Sequence, residues 1–137
     1  MSIKLRLLLA GAVVACAAVA IAATTTGWRY PYIVTRDTGA AAVATTVEFE
    51  STSLLDEIRF TMETAGNSTD TLYVTIDSAG GAEYDCVITS VSMNGLTDHH
   101  YQPTNPVILG PDDAIDVVMA NDTSTTYGIE IVWRRLP

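Results

Sequence analysis

The stretch TLYVTIDSAGGAEYDCVITSV, residues 71–91, decides the fold class. Every second residue of 72–77 is apolar, so the apolar side chains fall on one face of an extended strand. Small residues with two glycines follow at 78–82, and a second strand pattern occupies residues 84–91. Two strand patterns joined by a short glycine-bearing turn predict a β-hairpin.

The same alternation recurs on both sides of this hairpin. Ile58, Phe60 and Met62 share one face, while Glu57, Arg59, Thr61 and Glu63 share the other. Further strand patterns lie at residues 32–36, 46–50, 107–109, 114–119 and 127–134, the last two forming a pair joined by residues 121–126. Beyond the N-terminus, a turn at residues 53–56 is the one helix candidate, and residues 37–45 predict a linker or an edge segment. About seven or eight short antiparallel strands predict one all-β domain over residues 27–137, a β-sandwich with jelly-roll-like character.

The first 26 residues have a different character and predict a hydrophobic helix. Lys4 and Arg6 precede an uncharged apolar run at residues 7–23. A basic start, an apolar middle and small residues at Ala20 and Ala22 predict a signal peptide that is cleaved after Ala22. The run of about 17 residues also reaches the lower limit for a retained membrane anchor. A third alternative is a lipoprotein acylated at Cys16. All three alternatives place the domain outside the cytoplasm, or on a particle with its own membrane.

Three aromatic residues follow the apolar run: Trp28, Tyr30 and Tyr32, with Arg29 among them. This arrangement fits a membrane-interface belt if the anchor is retained. If the segment is cleaved, the same rings belong to an N-terminal strand that covers an edge of the core.

Charge and cysteine content exclude several classes of function. The chain has 7 basic and 16 acidic residues, a net charge of −9, which disfavours binding to nucleic acid. Cys16 lies in the apolar run and Cys86 in the domain, so no disulfide framework is expected. Cys86 alternates with Tyr84 and Ile88, which predicts a small buried core residue.

Two clusters are candidate metal ligands. Asp112, Asp113 and Asp116 offer carboxylate oxygens of the kind that calcium prefers, although aspartates that cap the turn before a strand explain the first two without an ion. His99 and His100 are adjacent, so on a strand they point to opposite faces and cannot share one ion. We expect them to be exposed loop residues.

Other side chains are candidates for modification or binding. Asn67 and Asn121 each begin an acceptor triplet for N-glycosylation in a predicted loop. Tyr101, Tyr127 and Trp133 are the aromatic residues that a ligand groove would expose. The chain contains no Gly-x-Ser-x-Gly motif and no glycine-rich phosphate loop, so we expect no catalytic residue and no cofactor.

The order of strands and turns resembles a known group of proteins. This order consists of the segments DTLYVTIDSAGGAEYDCVI, MNGLTDHHYQP, PVILGPDDAIDVVMAND and TYGIEIVWR, within residues 55–135. It resembles small all-β structural proteins encoded in the virion gene neighbourhoods of bacteriophages and prophages. The resemblance implies a non-enzymatic virion component that forms homo-oligomers or contacts other virion proteins through strand edges and apolar patches. The hydrophobic N-terminus departs from it, and would suit a virion that contains a membrane. The alternative is an exported bacterial or archaeal cell-surface module that binds a carbohydrate or a protein.

Overall fold

The structure, a computed structural model, describes residues 32–137 and confirms an all-β domain. The strands of this range are β1 (Ile33–Gly39), β2 (Val43–Glu48), β3 (Ser53–Met62), β4 (Thr71–Asp77), β5 (Cys86–Ser92), β6 (Asp98–Tyr101), β7 (Val107–Leu109), β8 (Ala114–Met119) and β9 (Tyr127–Arg135), with one 3-10 turn at Ala82–Tyr84. The hydrophobic segment predicted at residues 1–26, with Trp28 and Tyr30, lies outside the described residues. Between residues 32 and 137, no helix is long and apolar enough to cross a membrane.

The strands form two antiparallel sheets. The first has the order β1-β9-β3-β6, with β7 also paired to β3, and the second has the order β2-β8-β4-β5. The chain therefore pairs from its ends inward: β1 with β9, β2 with β8, β3 with β6 and β7, and β4 with β5. This is the pairing of one long hairpin whose tip is the β4–β5 turn, folded so that successive strand pairs alternate between the two sheets.

The hairpin predicted from residues 71–91 is confirmed, but the predicted burial of Cys86 is wrong. β4 and β5 pair in antiparallel fashion, with a bulge between Val74 and Thr75. Cys86 lies opposite Ile76 at the start of β5 and is an exposed free thiol. The reason is that β5 is an edge strand, with a hydrogen-bonded neighbour on one side only. Alternation predicts the face of a residue, but it does not predict whether that face is covered at the sheet edge.

Three further expectations are corrected or refined. Residues 53–56 begin the strand β3 and are not helical, with a bulge between Leu55 and Glu57. Residues 98–101, expected to lie in a loop, form the strand β6. β8 and β9, which look like a pair in the sequence, belong to different sheets. The segment 37–45 includes the end of β1 and the start of β2, which are both edge strands, in line with the predicted edge segment.

The inward faces of both sheets make the core. Phe60, Ile131, Leu72 and Ile115 are almost completely buried, and Phe49 meets Trp133 edge to face with ring centroids 5.0 Å apart. The predicted faces of β3 are correct, because its buried apolar residues alternate with the exposed Arg59 and Thr61. Burial of each large apolar side chain contributes about 1.5–3 kcal/mol. The core occupies the space between the sheets, which leaves their outer faces as the functional surfaces to examine.

Candidate functional site

A row of charges crosses the outer face of the first sheet. Strand register places Arg36 of β1, Glu130 of β9, Arg59 of β3 and His100 of β6 opposite one another in succession. Arg36 Nε donates to Glu130 Oε1 at 2.7 Å, and Arg59 Nη1 donates to Glu130 Oε2 at 3.2 Å. Glu57 joins the row by pairing with Arg59 and with His100, whose Nε2 lies 2.8 Å from Glu57 Oε2. We call these five residues the charged row.

Each arginine in this row pairs with a glutamate. The hydrogen bond from Arg36 and the nearby charges of Arg36 and Arg59 hold the pKa of Glu130 below its ordinary value, although partial desolvation opposes them. The row is therefore internally neutralised and offers no unpaired arginine to an anionic ligand. Solvent-exposed ion pairs of this kind contribute little to stability, because water and salt screen the attraction between their charges.

A shallow depression of about 490 Å³ lies beside the charged row, above Gly128. Gly128 is in the central strand β9, opposite Thr38 of β1 and Thr61 of β3. A Cβ atom there would lie 3.3 Å from Thr61 Oγ1. The missing side chain leaves a notch with a glycine floor and threonine walls, closed at one end by Arg36 and Arg59. Its hydroxyl and guanidinium lining could bind a polar ligand.

The outer face of the second sheet has a different chemistry. One cross-strand row contains Ala44, Val118, Tyr73 and Ser90, and the next contains Thr46, Asp116, Thr75 and Val87. Val118, Tyr73 and Val87 are 48%, 46% and 56% exposed. Asp116 carries the single charge of these two rows, and its Oδ1 accepts a hydrogen bond of 2.6 Å from Thr46 Oγ1. We call these eight residues the low-charge face.

The predicted calcium ligands do not converge. Asp113 accepts backbone N–H groups at both oxygens, from Ala79 at 2.9 Å and from Gly110 at 2.7 Å. These bonds, with a smaller contribution from Ser78, hold the pKa of its carboxyl below the ordinary value despite some desolvation. Asp112 adopts a φ of 67° in the turn, and Asp116 points to the low-charge face. Within residues 32–137 no group of three or more His, Cys, Asp or Glu side chains could hold a metal ion.

The two histidines lie on strand β6 and not in a loop, which corrects the prediction of loop residues. The argument about opposite faces applies to them: His100 joins the charged row, whereas His99 is half-buried. Burial, with a contribution from the charge of His100, lowers the pKa of His99 against the opposing effect of Asp98. The buried Nε2 of His99 has no hydrogen-bond partner among the described residues.

The aromatic residues expected to face a ligand belong to the core. Tyr127 is stacked on Phe60, and its burial, together with the charge of Asp37, raises the pKa of its hydroxyl. Trp133 is 8% exposed, with its Nε1 3.3 Å from Thr35 Oγ1. Tyr101 is partly buried against the same core. The prediction is corrected because these residues share the inward faces of β9 and β6; in β9, Trp133 and Tyr127 alternate with the outward Glu130.

Of the three residues proposed for a membrane-interface belt, the structure describes only Tyr32. Its ring is 60% exposed, and the guanidinium of Arg134 lies 5.7 Å from the ring centroid. A cation–π contact of this type fixes the ring against the outer face of the first sheet.

The two glycosylation triplets differ in accessibility. Asn121 is 2% exposed, and its Nδ2 donates to the carbonyl oxygens of Ala41 at 2.7 Å and Thr125 at 2.9 Å. A glycan cannot be attached to this nitrogen in the folded protein, because the side chain is buried and both N–H groups are donated to these carbonyl oxygens. Asn67 is half-buried, and its Oδ1 accepts the backbone N–H of Thr69 at 2.8 Å.

The charged row was missed at the sequence level. Alternation placed Glu57 and Arg59 on the outer face of β3, and the same alternation places Glu130 outward, between Ile129 and Ile131. The missing information is which strands are neighbours, since Arg36 and Glu130 are 94 residues apart.

Comparisons with known proteins give little further information. Neither the models of known protein families nor the curated proteins contain a match to the chain. Among solved structures, the chain is similar to one from the crystal structure of tomato aspermy virus, at 10% identity over 93% of this chain and 96% of that chain. The TM-score is 0.33, which is too low to support an argument about fold or function.

Proposed function

We propose that this protein is a non-enzymatic structural subunit of a virion, assembled into a coat through its sheet faces and strand edges. The preferred setting is a bacteriophage or prophage particle, from the resemblance of residues 55–135. A retained hydrophobic segment at residues 7–23 would anchor the subunit in a virion that contains a membrane, with the sandwich facing the shell.

The observation that carries this proposal is the order of the strands. β1-β9-β3 with β6 and β7 in one sheet, and β2-β8-β4-β5 in the other, is the connectivity of a jelly roll in which β6 and β7 share one strand position. Jelly rolls form viral capsid domains, lectin domains and cupins.

The surfaces favour assembly over catalysis. The low-charge face offers Tyr73, Val87 and Val118 to a protein partner, and within residues 32–137 each sheet ends in edge strands with unpaired backbone groups. The carboxylates of Asp113 and Asp116 accept hydrogen bonds within the described domain, from Ala79 N and Gly110 N and from Thr46 Oγ1 respectively.

A second candidate function is an exported cell-surface module that binds a carbohydrate or a protein. The depression above Gly128 favours it, because Thr38, Thr61, Arg36 and Arg59 offer hydrogen-bonding groups around an open floor. We expect a bound sugar or peptide to lie across β9 in that notch.

The test is to locate the native protein. Cultures that carry the gene are induced and separated into sedimenting particles, membranes and secreted proteins, and the intact mass of the protein is measured in each fraction. Stoichiometric amounts in purified particles support the virion subunit. Its presence in the membrane or secreted fraction alone contradicts that role and favours the binding module, which Gly128→Val should impair in a glycan- or peptide-binding assay.

A further inference from the structure

We infer that the low-charge face is the contact surface for a second copy of this chain, packed sheet on sheet about a two-fold axis that runs across the strands. The inference deepens the proposed function, because it names the partner and the face through which a structural subunit would assemble.

The low-charge face carries one charge, that of Asp116, on a strongly acidic chain. The chain has a net charge of −9, so two copies repel each other over most of their surfaces. The row of Ala44, Val118, Tyr73 and Ser90 is the uncharged one of the two rows that make up the low-charge face. Two copies that meet through this row bring no like charges together at the centre of their contact.

The position of the acidic residues selects the symmetry of the contact between the two copies. Glu48 and Asp77 both lie opposite Ala114, so they define one acidic end of the face. At the other end the neighbouring pair is Thr71 and Ser92, which are uncharged. Along the strand direction, the face therefore has one acidic end and one uncharged end.

A two-fold axis parallel to the strands would superpose the acidic ends of the two copies, so that Glu48 and Asp77 of one copy lie close to the same carboxylates of the other. Like charges that face each other across an interface are destabilising. An axis perpendicular to the strands reverses the second copy, so the two acidic ends lie at opposite edges of the contact. In this arrangement β4 faces β4 and β8 faces β8, and the contact is isologous.

The contact between the two copies is small. Four strands about 4.8 Å apart and about five residues of about 3.3 Å each give roughly 300 Å² of flat area per copy. The total of roughly 600 Å², increased by the relief of the side chains, lies below the range of stable interfaces, which begins at about 1,200 Å². We therefore expect a weak pairwise contact that becomes durable when it is repeated within an assembly.

The experiment measures self-association of the full chain in a density-matched non-ionic detergent, which covers the apolar run at residues 7–23. Sedimentation is recorded from about 1 to about 500 μM, the range expected for a small contact. Val118→Arg and Ser90→Arg place cations on the inferred face. Val34→Arg is the matched control, because Val34 is 39% exposed on the outer face of the first sheet. Circular dichroism melting verifies that all variants are folded.

The expected result is a concentration-dependent dimer of the wild type and of Val34→Arg. Both substitutions on the low-charge face should raise the dissociation constant at least about tenfold, because each places two cations close to each other near the axis. Ser90 lies on an edge strand and outside the core, so its variant remains informative if Val118→Arg does not fold.

A wild type that stays monomeric throughout, a dimer that Ser90→Arg leaves intact, or an equal loss in Val34→Arg would overturn the inference. These outcomes are separate from the particle experiment. If the protein is monomeric in sedimentation but present in purified particles, the virion role stands and this contact is rejected. If it forms the dimer but is absent from particles, the contact stands and the virion role is rejected.

Discussion

The carboxylate of Asp113 links the β4–β5 turn to the turn after β7, because each of its two oxygens accepts a backbone N–H from one of them. Oδ1 accepts the N–H of Ala79 in the β4–β5 turn, and Oδ2 accepts the N–H of Gly110 just after β7. The sequence offers this residue as a calcium ligand, but both of its oxygens accept backbone N–H groups. It acts as a turn-capping aspartate, which is the alternative that the sequence also offered.

Asp113→Asn should lower the free energy of unfolding by about 1–2 kcal/mol at pH 7, because an amide can no longer accept at both positions. Because the folded pKa of Asp113 is lowered, its contribution is complete above the unfolded pKa of about 3.9 and is lost as the pH falls through the folded value. Urea denaturation at pH 7 and at about pH 2.5 should therefore show the difference between wild type and variant shrinking in acid. Asp112→Asn is the control, since that side chain is exposed and its turn conformation suits asparagine. A difference that persists in acid would contradict this role.

At the next scale, the loop before β4 and the loop after β5 pack directly on each other. Gly66 donates its N–H to Leu96 O at 3.1 Å and accepts from Gly95 N at 3.1 Å. Met93 N donates to Asp70 O at 2.8 Å, which closes the same end of the sandwich. The close approach depends on the absence of a side chain at Gly66, since a Cβ there would lie 2.8 Å from Met93 O and 2.9 Å from Met93 Cβ.

Gly66→Ala should lower the free energy of unfolding by about 1–3 kcal/mol, because the backbone of Met93 would have to shift. Gly80→Ala is the matched control in an exposed turn, where the nearest atom belongs to the Tyr84 ring, which can move away. Thermal unfolding of both variants should show a clear loss for Gly66→Ala and little change for Gly80→Ala. Equal melting temperatures would show that the two loops are not in close contact.

For the whole molecule, stability depends on the layer of side chains between the sheets. Trp133 of the first sheet meets Phe49, and Phe60 stacks on Tyr127 with centroids 6.1 Å apart. Leu72, of the second sheet, is fully buried in the same core. Trp133 and Tyr127, which the sequence offered as ligand contacts, thus belong to this core, and Tyr101 packs against it.

Trp133→Ala should lower the free energy of unfolding by about 3–5 kcal/mol, as expected for a large buried aromatic residue. Tyr84→Ala, at a site that is 65% exposed, should change it by no more than about 0.5 kcal/mol. Urea denaturation followed by circular dichroism measures both. A Trp133→Ala variant that keeps wild-type stability would show that Trp133 does not pack in the core, and would make it a candidate ligand contact again.

The sequence by itself determined most of the strands and most of their faces. The alternation of residues 57–63 and 72–77 is correct in the structure, since the direction of a side chain along a strand depends only on neighbouring residues. The burial of Trp133 was also accessible, because it shares its face with Ile129 and Ile131.

Only the tertiary structure decided which strands are neighbours and which faces are covered. It separated β8 and β9 into different sheets, placed Arg36 opposite Glu130, made β6 a strand next to β3, and left Cys86 at an exposed edge. The charged row and the low-charge face follow from these pairings. The physical reason is that alternation is set locally, whereas the choice of a neighbouring strand depends on how the whole chain buries its apolar faces at once.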